Sequence, residues 1–178
     1  MTSVGTGALI FSADGQRLLL LRYKKNGEWG RPGGRVDAGE TARAACIREV
    51  KEEVALDFAA TPELDQRLSL VDWCEGASLA PTPVVGWVAA GFAITLPDAS
   101  LEALAVRLEE DKHDGMAWVP VATVLAAAAS SGVGTDAPAA AAAADSPVAV
   151  EELRGHLNPF TAASLQTVLK NRSSPHTF

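Results

Sequence analysis

Glu49, Glu52 and Glu53 lie within five consecutive residues of the segment RAACIREVKEEV, at positions i, i+3 and i+4. On a helix this spacing gathers three carboxylates on one face. Like charges so close repel, so a helix gains nothing from the cluster by itself. A divalent cation removes the penalty and takes the oxygens as ligands. Upstream, Pro32-Gly33-Gly34 makes a sharp turn that can bring backbone amides and carbonyls to the same point. A glycine turn beside an acidic helix face suits Mg²⁺, with Mn²⁺ as a substitute, holding a phosphate chain. Arg48 can reach Glu52 at i+4 or Glu40 across the loop, and its planar guanidinium can fix a carboxylate in one orientation. The competing reading is a solvated helix whose surface ion pairs contribute only ~0–1 kcal/mol each.

These groups need elements to position them. Residues 4–12 and 17–23 are apolar runs split by Ala13-Asp14-Gly15-Gln16, a hairpin signal, and read as two antiparallel strands. Thr41 reads as the N-cap of a helix running to about Val54, with Ala44, Ala45, Ile47, Val50 and Val54 on its inner face. Residues 64–75 and 84–96 read as long strands and Met116 to Val119 as a short one. Pro120 suits the first turn of a helix over VATVLAAAA. Residues 130–150 are low in complexity; the alanine run between Pro138 and Pro147 has no large apolar face and reads as a flexible insertion or linker. Asn158-Pro159 opens a last helix over 158–171, docked by Phe160, Leu165, Val168 and Leu169. The order is mixed α/β, and residues 1–178 fit a single domain.

The net charge of −7 argues against a non-specific nucleic-acid or membrane-surface binder. It does not argue against a nucleotide, because a bound cation brings the compensating charge. The start, MTSVGTGALIF, lacks a basic region, and no apolar stretch reaches the ~20 residues that span a bilayer. A cytoplasmic location is the resulting expectation. Cys46 and Cys74 are too few for a disulfide framework and read as reduced thiols.

Gly34, Glu40, Arg48, Glu49, Val50, Glu52, Glu53 and Leu56 resemble the Nudix hydrolase box, Gly-x5-Glu-x7-Arg-Glu-U-x-Glu-Glu-x-Gly-U, where U is a bulky aliphatic residue. Ala55 stands where the family has Gly, and a looser likeness runs from about Gly5 to Pro120. The resemblance implies an α/β/α sandwich with a mixed β-sheet, and it weighs heavily against the solvated-helix reading. It implies metal ligands at the Gly33 carbonyl, Glu49, Glu52 and Glu53, plus one acidic residue ahead of a late strand. Glu110 is chosen for that place from Glu109, Glu110, Asp111 and Asp114. Glu49 and Arg48 are the catalytic candidates, Glu49 orienting or deprotonating the attacking water, and Glu40 is orienting support. Trp29, Arg31 and Gly34 are candidates for substrate binding. Arg31 stands where many relatives have an aliphatic residue and reads more readily as solvent-facing, and Trp29 is open between base stacking and core. His113 reads as an ordinary exposed histidine, Trp87 as core.

The activity implied by the resemblance is that of a pyrophosphohydrolase. It performs Mg²⁺-dependent hydrolysis of a diphosphate linkage in a nucleoside diphosphate joined to another group. A small nucleotide such as a nucleoside triphosphate is the first expectation, with a nucleotide sugar or dinucleoside polyphosphate as alternatives. A homodimer stays open. A rival from another class is a nucleotide-binding regulatory module with little turnover. An RNA-decapping enzyme is disfavoured, because no basic stripe is present to hold long RNA.

Overall fold

Strict alternation in two neighbouring strands builds a core on each side of one sheet. The computed structural model describes residues 3–75, 87–99, 101, 109, 111–130 and 146–173. Its strands are β1 (Ser3–Phe11), β2 (Arg17–Tyr23), β3 (Trp29–Gly30), β4 (Gly33–Arg35), β5 (Ser69–Glu75), β6 (Trp87–Thr95) and β7 (His113–Pro120). Its helices are α1 (Ala42–Val54), α2 (Pro62–Arg67), α3 (Val121–Ser130), α4 (Val150–Leu153) and α5 (Pro159–Ser173). Ala8, Ile10, Leu19 and Leu21 pack with Cys46, Val50 and Val54 of α1 and Leu64 of α2. Leu9, Phe11, Leu18 and Leu20 face the other way, onto Val124 of α3, Leu153 of α4 and Leu165 and Val168 of α5. The period of two along each strand therefore sorts the helices into two layers, the sandwich that was expected.

The sheet is mixed, with the path β3-β2-β1-β6-β5, β4 added on β1 and β7 on β2. β1 runs parallel to β6 from Ser3↔Trp87 to Phe11↔Thr95. The Asp14-Gly15 turn does join β1 to β2 antiparallel, but their only aligned pair is Phe11↔Leu18. Beyond it the two strands part, and the glycine turn enters the gap: the Ala8 amide donates to the Pro32 carbonyl at 3.0 Å, and β4 pairs with β1 from Gly7↔Gly33 to Gly5↔Arg35. Close approach is possible there because Gly33 has no side chain; a Cβ on it would lie 2.2 Å from the Thr6 carbonyl oxygen.

Several elements differ from the expected ones. Residues 64–75 are not one strand: Pro62 opens the short helix α2, which buries Leu64, before β5 begins at Ser69. β7 is longer than Met116 to Val119 because β2 offers it a partner along its whole length, from Arg17↔Pro120 to Tyr23↔His113. The expected strand at 84–96 is β6, with residues 84–86 outside the described residues, as is the Trp87 side chain. The alanine-rich segment falls mostly at 131–145, outside the described residues. Asn158 caps α5 as expected, its Oδ1 accepting from the Phe160 and Thr161 amides at 3.1 and 3.3 Å. No described helix is long and apolar enough to cross a membrane.

Helix α1 starts where the sequence says, with the Thr41 hydroxyl accepting from the Ala44 amide at 3.1 Å. On its inner face Ala44 is exposed, the reverse of the expectation, and Cys46 is buried there as well. The helix ends at Ala55 in the left-handed region, φ 58° and ψ 17°, its amide donating to the Lys51 carbonyl. Ala55 is the one non-glycine residue with positive φ among the described residues. A Cβ there meets the following carbonyl, which glycine avoids. Ala55→Gly is expected to stabilise the fold by about 1 kcal/mol, read as a higher urea midpoint at unchanged slope. Burial pushes the Cys46 thiol up to about 12, so at pH 8 it is protonated and shielded. Site-resolved mass spectrometry is expected to find Cys46 unalkylated by iodoacetamide at pH 8, and fully labelled only when denaturant unfolds the chain.

Candidate metal and phosphate site

The acidic helix is read correctly as a cluster, but its three carboxylates part ways. At 100° per residue, Glu53 lies 40° from Glu49 around the helix, whereas Glu52 lies 60° away on the other side. Glu49 and Glu53 accordingly turn inward, 5% and 1% exposed, while the Glu52 side chain is 47% exposed. The inward pair meets the glycine turn. The Gly33 amide donates to Glu53 Oε2 at 2.8 Å. Gly34 lies against the Glu49 carboxyl, so close that a Cβ at position 34 would be 2.4 Å from it.

Arg48 ties this arrangement together. Its Nε and Nη2 donate to the two oxygens of Glu40 at 3.2 and 3.0 Å, a bidentate clasp. Nη1 donates to Glu49 Oε1 at 2.7 Å and to Glu52 Oε2 at 3.4 Å, and Nη2 also reaches the Arg35 carbonyl at 3.0 Å. Both partners foreseen for Arg48 are present, and Glu49 is a third. Burial pushes the Glu53 carboxyl up to about 8, and the Gly33 amide opposes that shift.

The segment ahead of β7 closes the site. The Glu109 amide donates to the Glu53 carbonyl at 3.3 Å, and the His113 amide donates to the Glu109 carbonyl at 3.0 Å. Lys112 Nζ is 3.0 Å from Glu109 and 3.8 Å from Glu49. Glu110, the expected extra ligand, lies outside the described residues. Glu109 stands near the cluster instead: a ligand atom each from Glu53, Glu109 and His113 fall within 4.8 Å of one another. His113 is not the exposed residue expected. It is 1% exposed, its ring 4.7 Å from that of Tyr23, and burial pulls its imidazole below its ordinary value.

A cleft of about 460 Å³ adjoins the turn, with Gly33, Gly34 and Arg31 among its walls. Tyr23, Lys25, Asn26, Asn158 and Phe160 also line it. Lys25, Asn26 and Asn158 were not expected in a site at all, and Phe160 was expected only to dock its helix. No local signal marks them, since the cleft exists only where the β2–β3 loop and the start of α5 converge. Trp29 is a correction. It is 5% exposed, packs in the core beneath α5, and donates its indole N–H to Glu152 at 3.2 Å, away from the cleft. Arg31 is a second correction: at 6% exposure it is buried, not solvent-facing, its guanidinium donating to Ser164 and to the Phe160 carbonyl.

Whether the residues fit a hard divalent cation is decided by Glu49. Its Oε2 is buried and accepts no hydrogen bond, at a point where a second carboxylate and a glycine turn converge. An unbonded buried carboxylate oxygen is costly, and cation coordination supplies the missing partner. The arrangement is one whose residues fit a hard divalent cation, on an α/β/α sandwich. The profile of the NUDIX domain matches residues 1–137, and the chain belongs to the Nudix family. It is 39% identical over 51 residues to a putative 8-oxo-dGTP diphosphatase of Bacillus subtilis strain 168, covering 29% of this chain and 34% of that protein. It is 38% identical over 65 residues to a dihydroneopterin triphosphate diphosphatase of Escherichia coli K12, covering 36% and 40%. The chain therefore matches only a third to two fifths of the length of these curated relatives. The crystal structure of a MutT NUDIX hydrolase from Burkholderia pseudomallei shares the fold, at a TM-score of 0.56 and 23% identity, covering 94% of this chain and 98% of that one.

Proposed function

We propose that this chain hydrolyses the diphosphate linkage of a small nucleotide, with a nucleoside triphosphate as the preferred class. The observation that carries this reading is the buried Glu49–Glu53 pair against the Gly33-Gly34 turn that borders the cleft, one oxygen of Glu49 having no hydrogen bond. Two relatives are named for diphosphatase action on triphosphates, which supports the substrate class.

In this reading the phosphate chain lies over Gly33 and Gly34, where the lack of side chains allows close approach. Mg²⁺ held by Glu49, Glu52, Glu53 and the Gly33 carbonyl would neutralise phosphate charge and lower the pKa of the attacking water. Glu49 orients that water from Oε2, the oxygen that Arg48 leaves open. Arg48, clasped by Glu40, keeps Glu49 from rotating. The nucleoside end fills the cleft between Tyr23 and Phe160. Water attack on one phosphorus of a triphosphate yields a nucleoside monophosphate and pyrophosphate; for other substrates the second product is the phosphorylated partner group.

The test is turnover of nucleoside triphosphates, nucleotide sugars, ADP-ribose and dinucleoside polyphosphates with Mg²⁺ or Mn²⁺, beside a Glu53→Gln control. Pyrophosphate release from a triphosphate, absent in the control, is the expected result. Well-folded protein that turns over none of them would favour a nucleotide-binding regulatory module.

A further inference from the structure

The box glutamates and the glycine turn offer oxygen alone. His113 introduces a nitrogen. It sits at the start of β7, on the strand that pairs with β2 at Tyr23↔His113, and is carried there by a turn hydrogen-bonded to the end of α1. Its ring is almost wholly enclosed, yet neither Nδ1 nor Nε2 has a hydrogen-bond partner. A neutral imidazole always holds one N–H donor and one bare acceptor, so both are left unmet in a region without solvent. Such groups are rare in folded proteins and call for an explanation. Glu53 Oε1 lies 3.7 Å from Nε2, beyond hydrogen-bond range. Tyr23 covers one side of the ring at 4.7 Å between centroids and satisfies nothing.

A shared ion explains this placement. Two ligands each about 2.1 Å from one ion are at most about 4.2 Å apart. The 3.7 Å between Glu53 Oε1 and His113 Nε2 falls inside that limit, and the full set with Glu109 lies within 4.8 Å, about 0.6 Å beyond it, so Glu109 has to close in on the ion. Lys112 stands beside Glu109, but its side chain is 49% exposed and can withdraw into water at little cost. We infer that Glu53, Glu109 and His113 form a mixed nitrogen–oxygen site for a first-row transition-metal ion of the Co²⁺ or Zn²⁺ class. Imidazole favours such ions over Mg²⁺, which prefers oxygen throughout. The inference deepens the proposed hydrolase, since Glu53 belongs to both ligand sets, and rests on that centre holding a cation.

The chain has three histidines, so the double variant His156→Gln/His176→Gln leaves His113 as the only imidazole. Co²⁺ titrated into this full-length protein is expected to saturate at one equivalent with a visible d–d band. It is also expected to give one strongly shifted, exchangeable imidazole N–H in the proton NMR spectrum. Adding His113→Gln should weaken Co²⁺ binding more than about tenfold while changing Mg²⁺ affinity far less. Because this readout is spectroscopic and needs no turnover, the two ideas fail separately. Co²⁺ binding without any shifted imidazole signal overturns the assignment of His113 and leaves the carboxylate centre standing. No binding of either Co²⁺ or Mg²⁺ overturns both. A circular-dichroism spectrum of the double variant matching that of the parent keeps the result decisive even where His113→Gln does not fold.

Discussion

Glu49→Gln is expected to lower kcat by about 10²–10⁴-fold with little change in the melting temperature. Gln keeps the shape of Glu and can still accept the Arg48 hydrogen bond, made to Oε1 at 2.7 Å. What it changes is the other position, where a buried oxygen without a hydrogen bond becomes an amide N–H₂. That group donates where a water proton or a cation has to be met. If Glu49 served only to hold Arg48, Gln would fill the role and activity would stay within a few fold. A small kinetic effect would therefore remove Glu49 from the chemistry. Glu52→Gln is the internal comparison. It changes a residue of the same type on the same helix, but one that is half in solvent, and should lose less. A loss confined to kcat places the interaction in the transition state, whereas a rise in KM alone would mean uniform binding.

That comparison also shows what the sequence could and could not disclose. The box helix was legible because everything that defines it is local: the Thr41 cap, the spacing of glutamates and the arginine one residue before them. The split between inward Glu49 and Glu53 and outward Glu52 follows from helix geometry once the core side is known, but that side is set by the sheet. The αL end at Ala55 was foreseeable as a departure from glycine, and the structure shows the helix ending there in that conformation. Trp29, Arg31 and His113 were not legible. Each owes its environment to a partner distant in sequence: Glu152 for Trp29, Ser164 for Arg31, and Glu53 with Tyr23 for His113. Residue type left Trp29 open between stacking and core, and it misled for the other two, since an arginine or histidine in a polar stretch suggests solvent.

Arg31→Met should destabilise the protein by about 2–4 kcal/mol and cut kcat/KM by about 10–100-fold. Arg31 is engaged through its backbone and its guanidinium alike. Its amide donates to Thr161 Oγ1 at 3.0 Å, its carbonyl accepts from Tyr23 Oη at 2.7 Å, and its guanidinium donates to the Phe160 carbonyl and to Ser164. Ser164 in turn donates to Asp72 on β5 at 2.9 Å. The sheet has been cleared for this group: a Cβ at Gly7 would lie 2.7 Å from Arg31 Nε, and one at Gly91 would lie 2.0 Å from Asp72 Oδ1. Met restores the apolar bulk but leaves Ser164 and Asp72 without the guanidinium, so the penalty is that of a broken buried network, not of a cavity. The kinetic loss has a separate origin. Arg31 directly precedes Pro32-Gly33-Gly34, and it bonds that turn to the start of α5, where Phe160 forms the cleft wall. Loosening it displaces the phosphate turn and the wall together, and misplacement by 1 Å is costly in rate. Arg31→Lys is the milder change, because both acceptors are met by the single nitrogen Nη1 and an ammonium also carries several donors. Urea denaturation of Arg31→Met, Asp72→Asn and the double variant is the deciding measurement. A double-variant loss smaller than the sum shows that the two residues act through one network. Full additivity, or a single-variant loss under about 0.5 kcal/mol, would mean that the guanidinium contributes packing alone.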